Sequence, residues 1–416
     1  MRSKVFLGLL VFTVGVALLC AACGPKPPAK DKIVIGAARP LSGPLAFFEA
    51  NAFGPIYKMW VDEVNAKGGI YVKEYGKRLP VEMLVYDDKS DMGTMTRLLE
   101  KLIVQDKVDF VFPPASTAFL FAAGAIANKH GYILMGAEGG ATTITAQLPD
   151  MPYFFGVLNY SDWYQMPALA DLFKDAGVKT VAIMFIEDLH GIEYQGVATA
   201  EFVKRGIEVV MLKSAPPDIK DVSPILKEAQ KLNADAFCAF VYPDTVFLTT
   251  GTAQAIGYNP KAMLFGPGGN FEVYRTIFPD EVIEGILGEG AWNAKSSPGA
   301  KEFVEKYTAR FPAATLDWWG HLFYWAGVEC FEQAIEKAGT LDQKKIRDVL
   351  AEEKFDTVLG ETWFTTFGDG GGGLLAVESH PGQIGQWQNG VFEVVAPKDK
   401  ATADFVYPKP KFPTPK

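Results

Sequence analysis

The sequence predicts an α/β protein of two doubly wound, parallel-sheet lobes. Short continuous apolar runs, the pattern of strands buried on both faces, alternate with segments of helical period through the first two thirds of the chain. The alternation pauses after Tyr153-Phe154-Phe155 and restarts without a flexible linker, which implies two lobes. The length of 416 residues suits two domains, and a composition 49% hydrophobic and 21% charged supplies their cores.

The first run opens with Ile33-Val34-Ile35-Gly36-Ala37-Ala38, a strand without polar positions. A helix is expected from about Phe53 to Ala66, ended by Gly68-Gly69. Val81 to Tyr86 is the next strand, Met92 to Gln105 the next helix, and Val108 to Phe112 the third strand. Phe119 to Lys129 reads as a helix stopped by Gly131, and Tyr132 to Met135 as a strand. In the second run the helices are Trp163 to Ala176, Tyr194 to Arg205, Val222 to Leu232 and Thr245 to Ile256. Thr180 to Ile186, Ile207 to Leu212, Ala236 to Val241, Ala262 to Phe265 and Ile286 to Gly288 are the intervening strands.

The last third changes texture. Ala300 to Arg310, Trp318 to Ala338 and Asp342 to Glu352 have helical period. Gly360 to Phe367 and the glycine run 370–373 follow, and a hairpin is expected around Asn389-Gly390, a pair suited to the positive φ of a type I′ turn. The Pro-rich tail after Tyr407 should lie extended on the surface.

The amino terminus carries an address. Arg2 and Lys4 precede an uncharged, mostly apolar run from Val5 to Leu19, which ends in Cys20-Ala21-Ala22-Cys23-Gly24, the layout of an export signal. The run falls short of the ~20 residues needed to cross ~30 Å of hydrocarbon. Ala21-Ala22-Cys23-Gly24 resembles the lipobox of bacterial lipoproteins, with Cys20 where Leu is usual. The resemblance implies cleavage after residue 22 and diacylglycerol on Cys23. Residues 23–32 are rich in Pro and Lys and read as an extended tether.

The formal charge is −9, and removal of Arg2 and Lys4 with the signal takes it to about −11. With no basic run, nucleic acid is excluded as an expected partner. Cys238 and Cys330, each in an apolar setting, read as buried free thiols, although an exported protein could bridge them. The four histidines are scattered and no Cys/His spacing suits a metal, so neither metal nor cofactor is expected. There is no G-x-S-x-G, H-E-x-x-H or G-x-x-x-x-G-K-[ST] motif, and an enzyme is not expected.

Binding is favoured by the segments that follow the strands, because ligands of open parallel sheets sit beyond the carboxyl ends. These are Arg39 to Pro44, Pro113 to Thr117, Gly136 to Thr142, Glu187 to Gly191, Tyr242 to Asp244 and Gly266 to Gly269. They mix small residues, which let backbone N–H groups approach a ligand, with hydroxyls that add directed bonds. Ser116-Thr117 and Thr142-Thr143 are each placed to open a helix, where unpaired N–H groups favour an anionic oxygen.

Several of these segments carry a family resemblance. Ile33-Val34-Ile35-Gly36 with Pro40-Leu41-Ser42-Gly43-Pro44, then Asn65-Ala66-Lys67-Gly68-Gly69-Ile70, Tyr86-Asp87-Asp88, Phe355-Asp356-Thr357-Val358-Leu359-Gly360 and Val406-Tyr407-Pro408 resemble, in order, the branched-chain amino-acid-binding type of periplasmic binding protein. The resemblance runs from about Ile33 to Lys411. It implies a type I bilobal clamshell that closes on a solute by hinge bending and delivers it to the permease and ATPase of an ABC importer. It also implies three hinge crossings, placed near Val157, Trp292 and Gln386. Lobe 1 is then 33–156 plus 293–385, lobe 2 is 157–292 plus 386–400, and 401–416 is a tail.

Carried onto this chain, the family's site puts Ser116 and Thr117 at the ligand carboxylate, with Gly139, Gly140 and Thr142 in a second such loop. Tyr242 matches an aromatic of the second lobe, while Phe48 and His190 stand where tyrosines are expected. Gly268 takes the place of the acid that meets an ammonium. Glu138 or Asp244 would have to replace that acid; otherwise the ligand lacks an ammonium. Phe47, Trp163 and Tyr164 add aromatic surface, and Arg39 offers a charge to a carboxylate. The expected protein is a monomeric, lipid-anchored binder of a small organic solute (an amino acid or related carboxylate, amide or aromatic acid). The alternative is a clamshell that presents the solute to a receptor.

Overall fold

A computed structural model describes residues 29–136, 142–158, 161–290 and 292–413. Residues 1–22, Cys23 and the start of the tether therefore lie outside the described residues. Strand β1 (Ile33–Arg39) leads into helical turns at Ala46–Phe48, a π-helical segment at Glu49–Phe53, and helix α1 (Gly54–Ala66). The helical stretch thus begins well before the expected Phe53. Pro55 sits in the first turn of α1, where a missing N–H costs nothing, and Ile56, Met59, Trp60 and Val64 turn one face into the core. Gly69 ends the turn at φ +104, and a Cβ there would stand 2.0 Å from the Leu79 carbonyl oxygen.

A hairpin, β2 (Ile70–Val72) and β3 (Lys77–Leu79), was not legible in the sequence because each arm has three residues. After it come β4 (Val81–Asp87), α2 (Met92–Val104), β5 (Phe110–Phe112), α3 (Thr117–His130), β6 (Leu134–Gly136) and β7 (Phe154–Gly156). β1 is flanked in parallel by β4 and β5, with Ile33 opposite Val81 and Ile35 opposite Phe110. β6 packs beside β5 and pairs in parallel with β7.

The second run gives α4 (Ser161–Asp175), β8 (Thr180–Ile186), α5 (Leu189–Lys204), β9 (Glu208–Ala215), α6 (Ser223–Leu232), β10 (Ala236–Phe240), α7 (Pro243–Ile256), β11 (Ala262–Phe265) and β12 (Leu287–Glu289). The last third supplies α8 (Pro298–Thr308), α9 (His321–Ala338) and α10 (Gln343–Glu352). Short strands β13 (Phe355–Thr357), β14 (Gly360–Thr362), β15 (Phe364–Thr366) and β16 (Gly373–Leu375) follow, then β17 (Ile384–Gln388) and β18 (Val391–Ala396).

A seven-stranded sheet runs β18-β17-β12-β11-β10-β8-β9, so the chain returns to it from the first lobe at Ile384. Its β8 to β12 neighbours are parallel, whereas β17 and β18 form an antiparallel edge. β16 and β15 likewise extend β7 with one antiparallel pair. The parallel sheets of the sequence reading therefore acquire antiparallel edges from the last third. The β17–β18 turn has Asn389 and Gly390 at φ 51° and 75°, as the type I′ pattern requires.

This is the type I periplasmic binding protein fold. Cys238 and Cys330 are buried free thiols. Among the described residues no helix is long and apolar enough to cross a membrane. The tail is tied down by Asn259, whose Oδ1 accepts from Lys409 Nζ and the Phe412 N–H.

Candidate functional site

The carboxyl ends of the two parallel sheets face a common pocket, part of it open to solvent. Phe48 and Phe53 reach it from the helical stretch after β1, and Ser116 and Thr117 from the head of α3. His190 comes from the first turn of α5, Tyr242 from the N-cap of α7, and Pro267 and Phe271 from the segment after β11. Asp317 and Trp319 come from the approach to α9, and Tyr324 from its first turn. Six of these eleven residues are Phe, Tyr or Trp, so the walls suit a flat or bulky apolar body.

Each polar group is held by local chemistry. Ser116 caps α3 at φ 77°, ψ 152°, a conformation that costs a non-glycine residue ~1–3 kcal/mol, and its side chain makes no capping bond. Asp188 behaves oppositely: it is an ordinary N-cap that accepts from the Gly191 N–H. His190, 3% exposed, lies between the rings of Tyr194 and Tyr242 at centroid distances of 4.5 and 5.4 Å. Among the described residues its Nε2 has no hydrogen-bond partner, and burial pushes its pKa down to about 4, against the weaker pull of Asp188. Burial, reinforced by Asp188, also raises the Tyr242 hydroxyl well above its usual value.

Asp317 is fully buried. Its Oδ1 accepts from Asn270 Nδ2 at 2.9 Å and the Trp319 N–H at 2.8 Å, and its Oδ2 from the Gly320 N–H at 3.0 Å. Burial still dominates over these donors and lifts its pKa to about 7. The sequence reading missed this acid because it follows no strand. The signal available was an aspartate set between Leu316 and Trp318-Trp319, where an unpaired charge is costly.

Of the expected site residues, Phe48, Ser116, Thr117, His190 and Tyr242 converge on the pocket. Arg39 does not. It is 1% exposed, with Nε bonded to Glu49 Oε2 at 2.7 Å, Nη1 donating to the Pro113 carbonyl, and its guanidinium 4.9 Å from the Phe53 ring centroid. The π-helical turn brings Glu49 round to neutralise it, so the charge expected for a ligand carboxylate is taken up inside lobe 1. Asp244 also stays away, exposed in the first turn of α7. Gly268 borders the pocket through its neighbour Pro267, and donates its N–H to Asn270 Oδ1. Glu138, Gly139 and Gly140 lie outside the described residues, and Thr142 opens a 3-10 turn. Trp163 is 41% exposed and stacks on Tyr164 outside the pocket lining.

The two halves also touch directly. Phe48 meets Tyr242 edge to face at 5.6 Å, and Phe47 meets Phe271 at 5.4 Å. The Thr143 N–H donates to Glu193 Oε2 at 3.0 Å, and its hydroxyl donates to the other oxygen. Among the described residues no group of three or more His, Cys, Asp or Glu could hold a metal ion.

The sequence pattern of the periplasmic binding protein family matches residues 32–390. A "Leu/Ile/Val-binding protein homolog 8" of Brucella suis is 26% identical over 422 aligned positions, covering 96% of this chain and 98% of that protein. The branched-chain amino acid transporter substrate binding protein of Streptococcus pneumoniae, solved with isoleucine, superposes with TM-score 0.73 at 22% identity, over 88% of this chain and 100% of that one. A solute binding protein of an ABC transporter from R. palustris, solved with benzoate, gives TM-score 0.73 at 18% identity, over 90% and 98%. With its fold and most of its length accounted for in this way, the chain belongs to the periplasmic binding protein family.

Proposed function

We propose that this protein is the lipid-anchored, extracytoplasmic solute-binding component of an ABC importer, which traps one small organic solute between its lobes without covalent chemistry. The observation that carries this reading is the pocket itself. It lies beyond the carboxyl ends of both sheets and draws its walls from both halves, as a closing clamshell requires. The lobes are 33–156 plus 293–385 and 157–292 plus 386–400, with 401–416 as a tail, and the protein acts as a monomer. The Pro/Lys-rich tether gives a lipidated Cys23 the reach to keep the clamshell beside its permease and ATPase.

In this reading Ser116 and the first turn of α3 hold an anionic oxygen of the solute, and Tyr242 closes over it. Ser116→Ala and Tyr242→Ala are each expected to weaken binding by ~1–3 kcal/mol, the range for losing a buried partner. The solute comes from a thermal-shift screen of amino acids, aromatic acids, amides and amines, since a ligand that binds only the folded state raises the melting temperature. Unchanged affinity in both variants would show that the pocket is not the binding site.

A further inference from the structure

Among the described residues, the pocket lining contains one acid and neither lysine nor arginine. We infer that Asp317 receives the protonated amine of the solute, and that the pocket takes a small aryl-alkyl ammonium compound whose carboxylate, where it has one, meets the head of α3 at Ser116. This rests on the solute-binding reading above and adds the chemical class of the solute.

The charge inventory supports the assignment. A carboxylate offers about four lone-pair positions. Asp317 fills three of them with donors from Asn270, Trp319 and Gly320, which leaves one on Oδ2. All three donors are neutral, and among the described residues no ion pair involves Asp317, so the carboxylate is positioned but not neutralised. A cation reaching it would gain a charge-assisted bond where burial makes such bonds strong. Arg39 cannot supply the cation, being paired with Glu49. A second acid is also excluded at Gly268: its φ is +129°, and a Cβ would lie 2.7 Å from Pro243 Cα.

The walls point the same way. Tyr242, Phe271 and Trp319 line the pocket, and aromatic rings accept an ammonium as well as an aryl group. Burial holds His190 neutral, and its Nε2 has no partner among the described residues, so it adds a hydrogen bond but no charge. A bare aromatic carboxylate would gain the rings and Ser116 but face Asp317 with no compensating cation.

Three probes that share a phenyl-alkyl body separate these terms: phenylalanine, 3-phenylpropionate without the amine, and 2-phenylethylamine without the carboxylate. Isothermal titration at pH 7.5 is expected to show phenylalanine binding about 100-fold more tightly than 3-phenylpropionate, the scale for one buried charge partner. Phenylethylamine should also bind more tightly than phenylpropionate. Asp317→Asn should remove most of the preference by weakening the amines without weakening phenylpropionate. Equal affinity of wild-type protein for phenylalanine and phenylpropionate would overturn the inference, whether or not the variant folds. If the three probes fail while the wider screen finds another solute, the inference falls and the solute-binding reading stands. If no compound in that screen stabilises the protein, both fall.

Discussion

Arg39 and Asp317 are both ionisable, both buried, and both close to the pocket, yet the protein treats them differently. Arg39 ends β1 and meets its counter-charge within ten residues, because the π-helical segment turns Glu49 back towards it. The Pro113 carbonyl and the rings of Phe53 and Tyr57 complete a shell that leaves the guanidinium nothing to offer a solute. Asp317 is surrounded by N–H donors and by rings, with no cation among the described residues. A buried charge neutralised by its own chain holds the lobe together. One that is only hydrogen-bonded keeps an attraction in reserve, at a cost to the stability of the empty protein.

The largest expected effect comes from breaking the paired charge. Arg39→Met leaves Glu49 without its partner and the Pro113 carbonyl without its donor, and should destabilise the fold by about 3–5 kcal/mol. Solute affinity of the folded fraction should stay the same. Loss of affinity at unchanged stability would reverse the roles assigned to the two residues.

A smaller effect is expected at Asp317, and its sign differs. Because the folded pKa is raised from 3.8 to about 7, the group favours folding below pH 4 and loses that contribution as pH rises towards 7. Asp88 and Glu329, lifted by burial to about 6 and about 7, shift stability in the same direction but are common to wild type and variant. Asp317→Asn carries a fixed penalty, since its amide would face the Gly320 N–H. Relative to wild type, however, it should gain about 2 kcal/mol between pH 5 and pH 8 in denaturant melts. A constant difference across that range would mean that Asp317 is ionised in the empty protein at all these pH values.

The smallest effect is expected at the lobe contact. Glu193→Gln removes the charge that Thr143 grips across the cleft and should reduce the closed population by about 1 kcal/mol. Small-angle scattering of the unliganded protein would register a larger radius of gyration, and an unchanged radius would remove this contact from the closing mechanism.

The sequence made the alternating strands and helices legible because their periods differ, and strand Thr180–Ile186 is found with its expected bounds. The three-residue strands Ile70–Val72, Lys77–Leu79 and Phe154–Gly156 were hidden, since so short a run has no measurable period, whereas Phe110–Phe112 and Leu134–Gly136 fall on expected strands. The site was legible where residues follow strands, as with Ser116, His190 and Tyr242. It was illegible at Asp317, which reaches the pocket through the bridge between Phe271 and Asp317 rather than from a strand end. Arg39 misled for a related reason. Its position after β1 marks the cleft, but nothing in the spacing announces the π-turn that brings Glu49 to it.

The central claim is that Asp317 waits without a counter-charge and becomes ionised against the solute's ammonium. His190 and His321 are held neutral at pH 7, with pKa values pushed down by burial to about 4 and about 3. The hydroxyls of Tyr242 and Tyr307 are raised by burial, which leaves Asp317, among the described residues lining the pocket, as the group that titrates near pH 7. Phenylalanine binding should therefore release protons, and isothermal titration at pH 7 in two buffers of different ionisation enthalpy counts them. The account predicts release of about half a proton per phenylalanine bound to wild-type protein, from a group half protonated at its pKa, and none with Asp317→Asn. Proton uptake, or no exchange at all on binding to wild type, would contradict it.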